Sequence, residues 1–229
     1  MIEINNLCFY WEKSYVIEGL RLNIQAGQHL FIEGPSGSGK STLLNLFAGV
    51  LCPKKGDINI LGQNLRDLSP SQKDSFRADH IGFIFQQFNL IPYLSVIDNI
   101  ILPCSFSAIR KQKALQRSGN LNIEAIRLLK ALGLNDQALF QRSVNELSVG
   151  QQQRVAAARA MLGSPEIIIA DEPTSALDSG HRDAFINTLF NECEKENITL
   201  IFVSHDTSLK KHFFNHINLT DINQIKQEK

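Results

Sequence analysis

Eight residues from Gly34 to Ser41, GPSGSGKS, carry the first chemistry in the chain. An apolar run, Leu30-Phe31-Ile32, precedes them, and an apolar helical pattern, Leu43, Leu44, Leu46 and Phe47, follows. Strand, glycine loop and helix in that order make an anion cradle. Gly34, Gly37 and Gly39 allow backbone angles at which successive N–H groups converge on a phosphate, with Pro35, Ser36 and Ser38 as the intervening positions. The positive end of the next helix, at Lys40 to Thr42, adds to that field. Lys40 is expected to reach the outer phosphates, and the Ser41 hydroxyl to coordinate Mg²⁺.

Two further strand ends supply polar groups. Ile167 to Pro173, IIIADEP, is an apolar strand that delivers two carboxylates. In a parallel sheet Asp171 would stand beside the cradle and support Mg²⁺, while Glu172 would face the water that attacks the terminal phosphate, as general base or as late proton acceptor. Ser204-His205-Asp206 follows the apolar run Leu200 to Val203, and His205 there can donate to the terminal phosphate and to the attacking water. Gln86 follows a buried strand pattern, Ile81 to Phe85, where it can touch Mg²⁺ or that water while its neighbours QFNLIPYL contact another protein.

Leu147 to Ala160, LSVGQQQRVAAARA, reads as a second phosphate-binding surface. Ser148 caps a helix, Gly150 allows close backbone approach, and the first turn, with Gln151, offers free N–H groups. One terminal phosphate does not need two such surfaces within one chain. A head-to-tail pair of chains does, each lending this helix tip to the other's nucleotide.

The elements that must position these groups follow from periodicity. Residues 2–11 alternate, with Ile2, Ile4, Leu7, Phe9 and Trp11 inward and a slip near Asn5-Asn6, and residues 16–24 alternate at Leu20, Leu22 and Ile24; both predict half-buried antiparallel strands. Short strands are expected over 57–61, 81–85, 167–170 and 199–203. Between about Pro92 and Gly163 the pattern is helical, with Ile123, Ile126, Leu129 and Leu132 on one face and Gly133 as a stop. The polar, basic stretch Ser105 to Asn120 reads as a solvated helix face or loop. The expected fold is therefore α/β: a mostly parallel sheet with an N-terminal antiparallel β-subdomain and a helical insertion.

With 229 residues the chain can hold one large domain, divided here into a nucleotide-binding core over 1–86 and 161–229 and a helical subdomain over 87–160. Formal net charge is zero, so no global basic field for nucleic acid exists. No apolar run is long enough to span a bilayer, and the opening MIEINNLCFYW lacks the basic start and long apolar stretch of a signal peptide, so the expectation is a cytoplasmic protein. Cys8, Cys52, Cys104 and Cys193 are widely spaced and read as buried free thiols. His212 and His216 lie i, i+4, but no third ligand accompanies them, so they are not read as a metal site.

In this order, glycine loop, Gln86, the Ser148 helix, Asp171-Glu172, Ser175 to Asp178 (SALD) and His205, the motifs resemble the ATP-binding cassette (ABC) ATPases over essentially the whole chain. The resemblance implies the RecA-like P-loop NTPase fold, ATP and Mg²⁺ as ligands, and an ATP-dependent homodimer. It also implies that Asp178 crosses the dimer interface and that an N-terminal aromatic, Trp11 or else Tyr10, stacks on adenine. Val149 departs from the family pattern, which has glycine there. The stretch IGFIFQQFNLIPYLSVIDNI is similar to the group typified by LolD, MacB and FtsE, whose partners are FtsX-like integral membrane permease subunits. That implies a chain peripheral on the inner face of the membrane, with no nucleic-acid partner.

Overall fold

Alternating apolar residues near the N-terminus give two long strands, β1 (Ile2–Trp11) and β2 (Ser14–Ile24), paired antiparallel. The computed structural model describes residues 1–12, 14–175 and 179–224. The slip expected at Asn5-Asn6 is real: the β1–β2 register shifts between Ile4 and Leu7, and Asn6 has a φ of 53°. Inserting extra residues there returns Leu7 and Phe9 to the buried face.

β3 (His29–Glu33) leads through the glycine loop into α1 (Lys40–Phe47). β4 (Lys55–Ile60) and β5 (Gln63–Asn64) complete an antiparallel sheet of order β2-β1-β4-β5. Next come α2 (Pro70–His80) and β6 (Ile81–Ile84). Four helices follow before the chain re-enters the sheet: α3 (Val96–Ile101), α4 (Ala108–Ser118), α5 (Leu121–Ala131) and α6 (Val149–Met161). β7 (Ile167–Asp171), α7 (Ser179–Lys195), β8 (Thr199–Val203), β9 (Asn215–Asn218) and the short α8 (Leu219–Ile222) complete the described residues.

The second sheet is parallel throughout, in the order β6-β7-β8-β3-β9. Strand alternation divides the core between its faces. Leu30, Ile32, Ile167, Ile169, Ile201 and Val203 pack with α1 and the antiparallel sheet. Phe31, Ile168, Ala170, Leu200 and Phe202 pack with α3, α5, α6 and α7. A close approach fixes α6 over β6: a Cβ on Gly82 would overlap the carbonyl oxygen of Ala160. Gly82→Ala should therefore destabilise the fold by about 1–3 kcal/mol, read as a lower denaturant midpoint with an unchanged slope.

Several expectations need correction. Trp11 does not point inward; it is 56% exposed, with its ring edge-on to Phe9, because register shifts after Leu7 and again after Phe9 turn the strand end outward. Leu22 is only partly buried. Ile123 is 58% exposed, whereas Leu128 joins Leu129 and Leu132 in the core, so the buried face of α5 is rotated from the one read in the spacing. The helical stretch is also interrupted between Leu132 and Ser148 by two short 3-10 turns.

The basic segment 105–120 is not simply solvated. Arg110 on α4 is buried and donates to the carbonyl oxygens of Arg159, Ala160 and Leu162, near the end of α6. These carbonyls lack intrahelical partners, so a guanidinium fork satisfies them. Burial lowers the pKa of Arg110 to about 10, which still leaves it charged at neutral pH. Cys8, Cys104 and Cys193 are buried as expected, but Cys52 is exposed and accepts from Lys73 Nζ at 2.9 Å. His212 ends a 3-10 turn beside Asp183 and His216 lies on β9; among the described residues no cluster suited to a metal ion forms from His, Cys, Asp and Glu.

Candidate active site

The carboxyl ends of β3, β6, β7 and β8 face one cavity of about 510 Å³. This is where an open α/β sheet binds ligands, because helix N-termini and loop N–H groups gather there. Its lining includes Gly37, Lys40 and Ser41 from the glycine loop, Asp171 at the end of β7 with Glu172 directly after it, and His205 after β8. Ser36, Gly39, Thr42 and Gln86 line it too, as does Val16 of β2.

Gly37 and Gly39 have φ of 80° and 97°, which only glycine adopts without strain. Gly34 differs from expectation: its φ is ordinary, and it is small because a Cβ would come within 2.6 Å of Ser38 Oγ. That hydroxyl is buried and has no hydrogen-bond partner. α1 begins with no side-chain cap and no acid in its first turn, so its positive end is unneutralised. Lys40 Nζ donates to the carbonyl oxygens of Gly34 and Pro35, at 2.7 and 2.9 Å, which arches it across the loop.

Ser41 Oγ lies 3.5 Å from Asp171 Oδ2. Burial raises the Asp171 pKa, and the neighbouring Glu172 charge raises it further, against the opposing effects of Ser41 and Lys40. A hydroxyl, a carboxylate and the Gln86 amide in one cavity are a sparse set of hard oxygen donors. Such a set fits Mg²⁺, which takes few protein ligands and completes its shell with phosphate and water.

Glu172 is the most restrained acid in the cavity. Its φ of 48° lies in the left-handed region, and its N–H donates to Val203 O at 2.9 Å. Its Oε2 accepts from Ser204 Oγ at 3.0 Å; its Oε1 accepts from His205 N at 2.9 Å and lies 2.7 Å from His205 Nδ1. Gln86 reaches the cavity from just past β6, which ends at Ile84 rather than Phe85.

Residues 17–175 match the sequence profile of the ABC transporter family. The chain belongs to the ABC transporter family. It carries the ABC ATPase domain, the ATP-binding part of such systems. It is 38% identical over 215 residues to the uncharacterised ABC transporter ATP-binding protein MJ0796 of Methanocaldococcus jannaschii, covering 94% of this chain and 89% of that protein. It is 40% identical over 206 residues to the macrolide export ATP-binding/permease protein MacB of Escherichia coli, covering 90% of this chain but 30% of that longer protein. The other MacB relatives are likewise much longer; one is spanned over 27% of its length. Among solved structures, the post-hydrolysis dimer of MJ0796 bound to ADP and Pi superposes with a TM-score of 0.81 at 32% identity, covering 100% of this chain and 97% of that one. CbiO1 of Clostridium perfringens, part of the ABC transporter complex cbiONQ, gives 0.82 at 25% identity, covering 95% and 83%.

The Ser148 helix tip and the N-terminal aromatics lie outside the cavity. Ser148 and Gln151 form a reciprocal cap at the start of α6: Ser148 Oγ accepts from Gln151 N, and Gln151 Oε1 accepts from Ser148 N at 2.8 Å. Ser148, Gly150 and Gln151 do not line the cavity. Val149 is the first helical residue, 47% exposed, with a φ that suits any L-residue, so the exchange of glycine for valine leaves the backbone helical. Trp11 is not among the lining residues either, and Tyr10 packs against Tyr15. Asp178 lies outside the described residues.

Some site residues escaped the sequence reading. Val16 carries no chemical signal and is found only through the strand pairing. Gln153 is buried and donates to Pro173 O at 2.6 Å, tying α6 to the turn after Glu172; it looked like one more glutamine in a polar run. Ser204, directly before His205, was visible but had no assigned partner.

Proposed function

We propose that this chain is the ATP-hydrolysing subunit of an ABC transporter, working as a pair of copies that sandwich two ATP molecules. The observation that carries this reading is the Glu172 carboxylate, locked by Ser204 and His205 in the same cavity as the glycine loop. The loop N–H groups and Lys40 bind the phosphates. Glu172 orients the attacking water and accepts its proton, and His205 donates to the terminal phosphate. Ser41, Asp171 and Gln86 would hold Mg²⁺, which supplies positive charge against the phosphate oxygens. Trp11, with Tyr10 as the alternative, is assigned to stack on adenine, and Asp178 to the interface between copies.

The second copy supplies the Ser148 tip. Within the chain that tip is exposed and outside the cavity; the Gln151 N–H, expected to be free, is accepted by Ser148 Oγ, whereas the Val149 and Gly150 N–H groups have no intrahelical acceptor. A partner's phosphate fits them. The post-hydrolysis dimer of MJ0796 bound to ADP and Pi supports the arrangement.

A membrane permease of the FtsX-like type is the proposed partner, which would keep the chain cytoplasmic and peripheral on the membrane's inner face, apart from nucleic acid. Among the described residues no helix is long and apolar enough to cross a membrane. Beside the Gln86 loop a larger groove of about 590 Å³ is lined by Ala78, Phe83, Phe85, Leu102, Pro103 and Phe106. Phe106 is 72% exposed, which suits an apolar segment of such a partner. Arg159 of α6 donates to Phe88 O and Asn89 O, at 2.6 and 2.7 Å, so movement of that loop reaches the helix bearing Ser148.

The test is ATP turnover against protein concentration. Turnover per chain should rise with concentration in the dilute range, since each site needs two chains. A constant rate per chain in a sample that stays at the 25.7 kDa monomer mass would contradict the shared site.

A further inference from the structure

We propose that Ser204, with Arg182 acting through Asp206, is a positioning device that holds the Glu172 carboxylate for hydrolysis; this rests on the role given to Glu172 above. Ser204 is 2% exposed, and its hydroxyl has two neighbours. Oγ accepts from Asp206 N at 3.1 Å and donates to Glu172 Oε2 at 3.0 Å. Because the Asp206 N–H occupies an oxygen lone pair, the hydroxyl proton is left to point at the carboxylate. Ser204 is thus a one-way donor.

The turn that carries it is gripped from two sides. Asp206 Oδ1 accepts from Ser208 N at 3.0 Å, and Oδ2 pairs with Arg182 Nη1. Arg182 belongs to the first turn of α7, the helix that follows the segment assigned to the dimer interface. Arg182, Asp206, Ser204 and Glu172 therefore form one connected chain of hydrogen bonds. On the other carboxylate oxygen, Oε1, Glu172 is held by His205 N and by the His205 ring; among the side chains that hold it, the His205 ring is 67% exposed and open to water, whereas the Ser204 hydroxyl is not. A buried donor keeps its geometry where an exposed one exchanges with solvent.

Steady-state ATP hydrolysis by Ser204→Ala, Ser204→Thr, Arg182→Ala and Glu172→Gln tests the assignment. Ser204→Ala should lower kcat about 10-fold with KM for ATP within about 2-fold of the parent, since only the aim of the acid is lost. Ser204→Thr keeps the hydroxyl and should restore most of kcat. Arg182→Ala should lower kcat by about 3-fold, because Ser208 still holds Asp206. Parental kcat in Ser204→Ala, a loss that threonine does not restore, or a KM that rises in step with the fall in kcat would each overturn the positioning role. Full activity in Glu172→Gln would instead strike down the role of Glu172 itself, so the two failures are separable.

Discussion

Replacing Glu172 by glutamine should reduce ATP turnover by about 10²–10⁴-fold while leaving nucleotide affinity near the parental value. The substitution is close to isosteric and removes the proton acceptor without removing the side chain. Glutamine can still accept from either Ser204 Oγ or His205 N through its one carbonyl oxygen, but its NH₂ must then face the other donor, where the carboxylate offers a second acceptor. In the proposed function phosphate binding is assigned to other groups, namely the glycine-loop N–H groups, Lys40 and the start of α1, which line the same cavity. Turnover by phosphate release and affinity by calorimetric titration separate the two effects. Equal losses in both would mean that Glu172 shapes the cavity instead of serving the chemical step.

Lys40→Ala should show the opposite division, with nucleotide binding weakened first. In this structure Lys40 Nζ is held by two carbonyl oxygens of the loop that it must serve. A charge-assisted hydrogen bond is worth about 1.5–3 kcal/mol, which corresponds to a loss of roughly 10- to 150-fold in ATP affinity. Alanine also removes the two bonds that arch the side chain across Gly34 and Pro35. The loop's shape should nonetheless persist, because it is set by the positive φ of Gly37 and Gly39 and by the packing of Ser38 on Gly34. A calorimetric titration with ATP that returned the parental affinity would remove Lys40 from the binding account.

The glycine loop was legible because its geometry is local: contiguous residues between a strand and a helix make it, and their spacing is visible in one dimension. Asp171, Glu172 and His205 were legible for a related reason, since each ends an apolar run and parallel strands bring such ends together. The partners of Glu172 were not legible in the same way. Ser204 and Glu172 are 32 positions apart, and only the adjacency of β7 and β8 makes them neighbours. Arg110 was misread because basic residues on a polar helix usually face water; its burial depends on where α6 ends, which the local pattern around residue 110 does not reveal. Trp11 was misread through strict alternation, which the shifts in register after Leu7 and Phe9 break.

In the proposed pair, one chain's cradle is completed by the Ser148 tip of another. The most direct measurement is the solution mass of Glu172→Gln by light scattering, with saturating Mg²⁺ and ATP and again with ADP. Hydrolysis would no longer dissolve the pair, so the mass should double from 25.7 kDa with ATP and remain monomeric with ADP, and adding Ser148→Arg should return the ATP sample to monomer. A variant that binds ATP to saturation yet stays at the monomer mass would contradict the shared site.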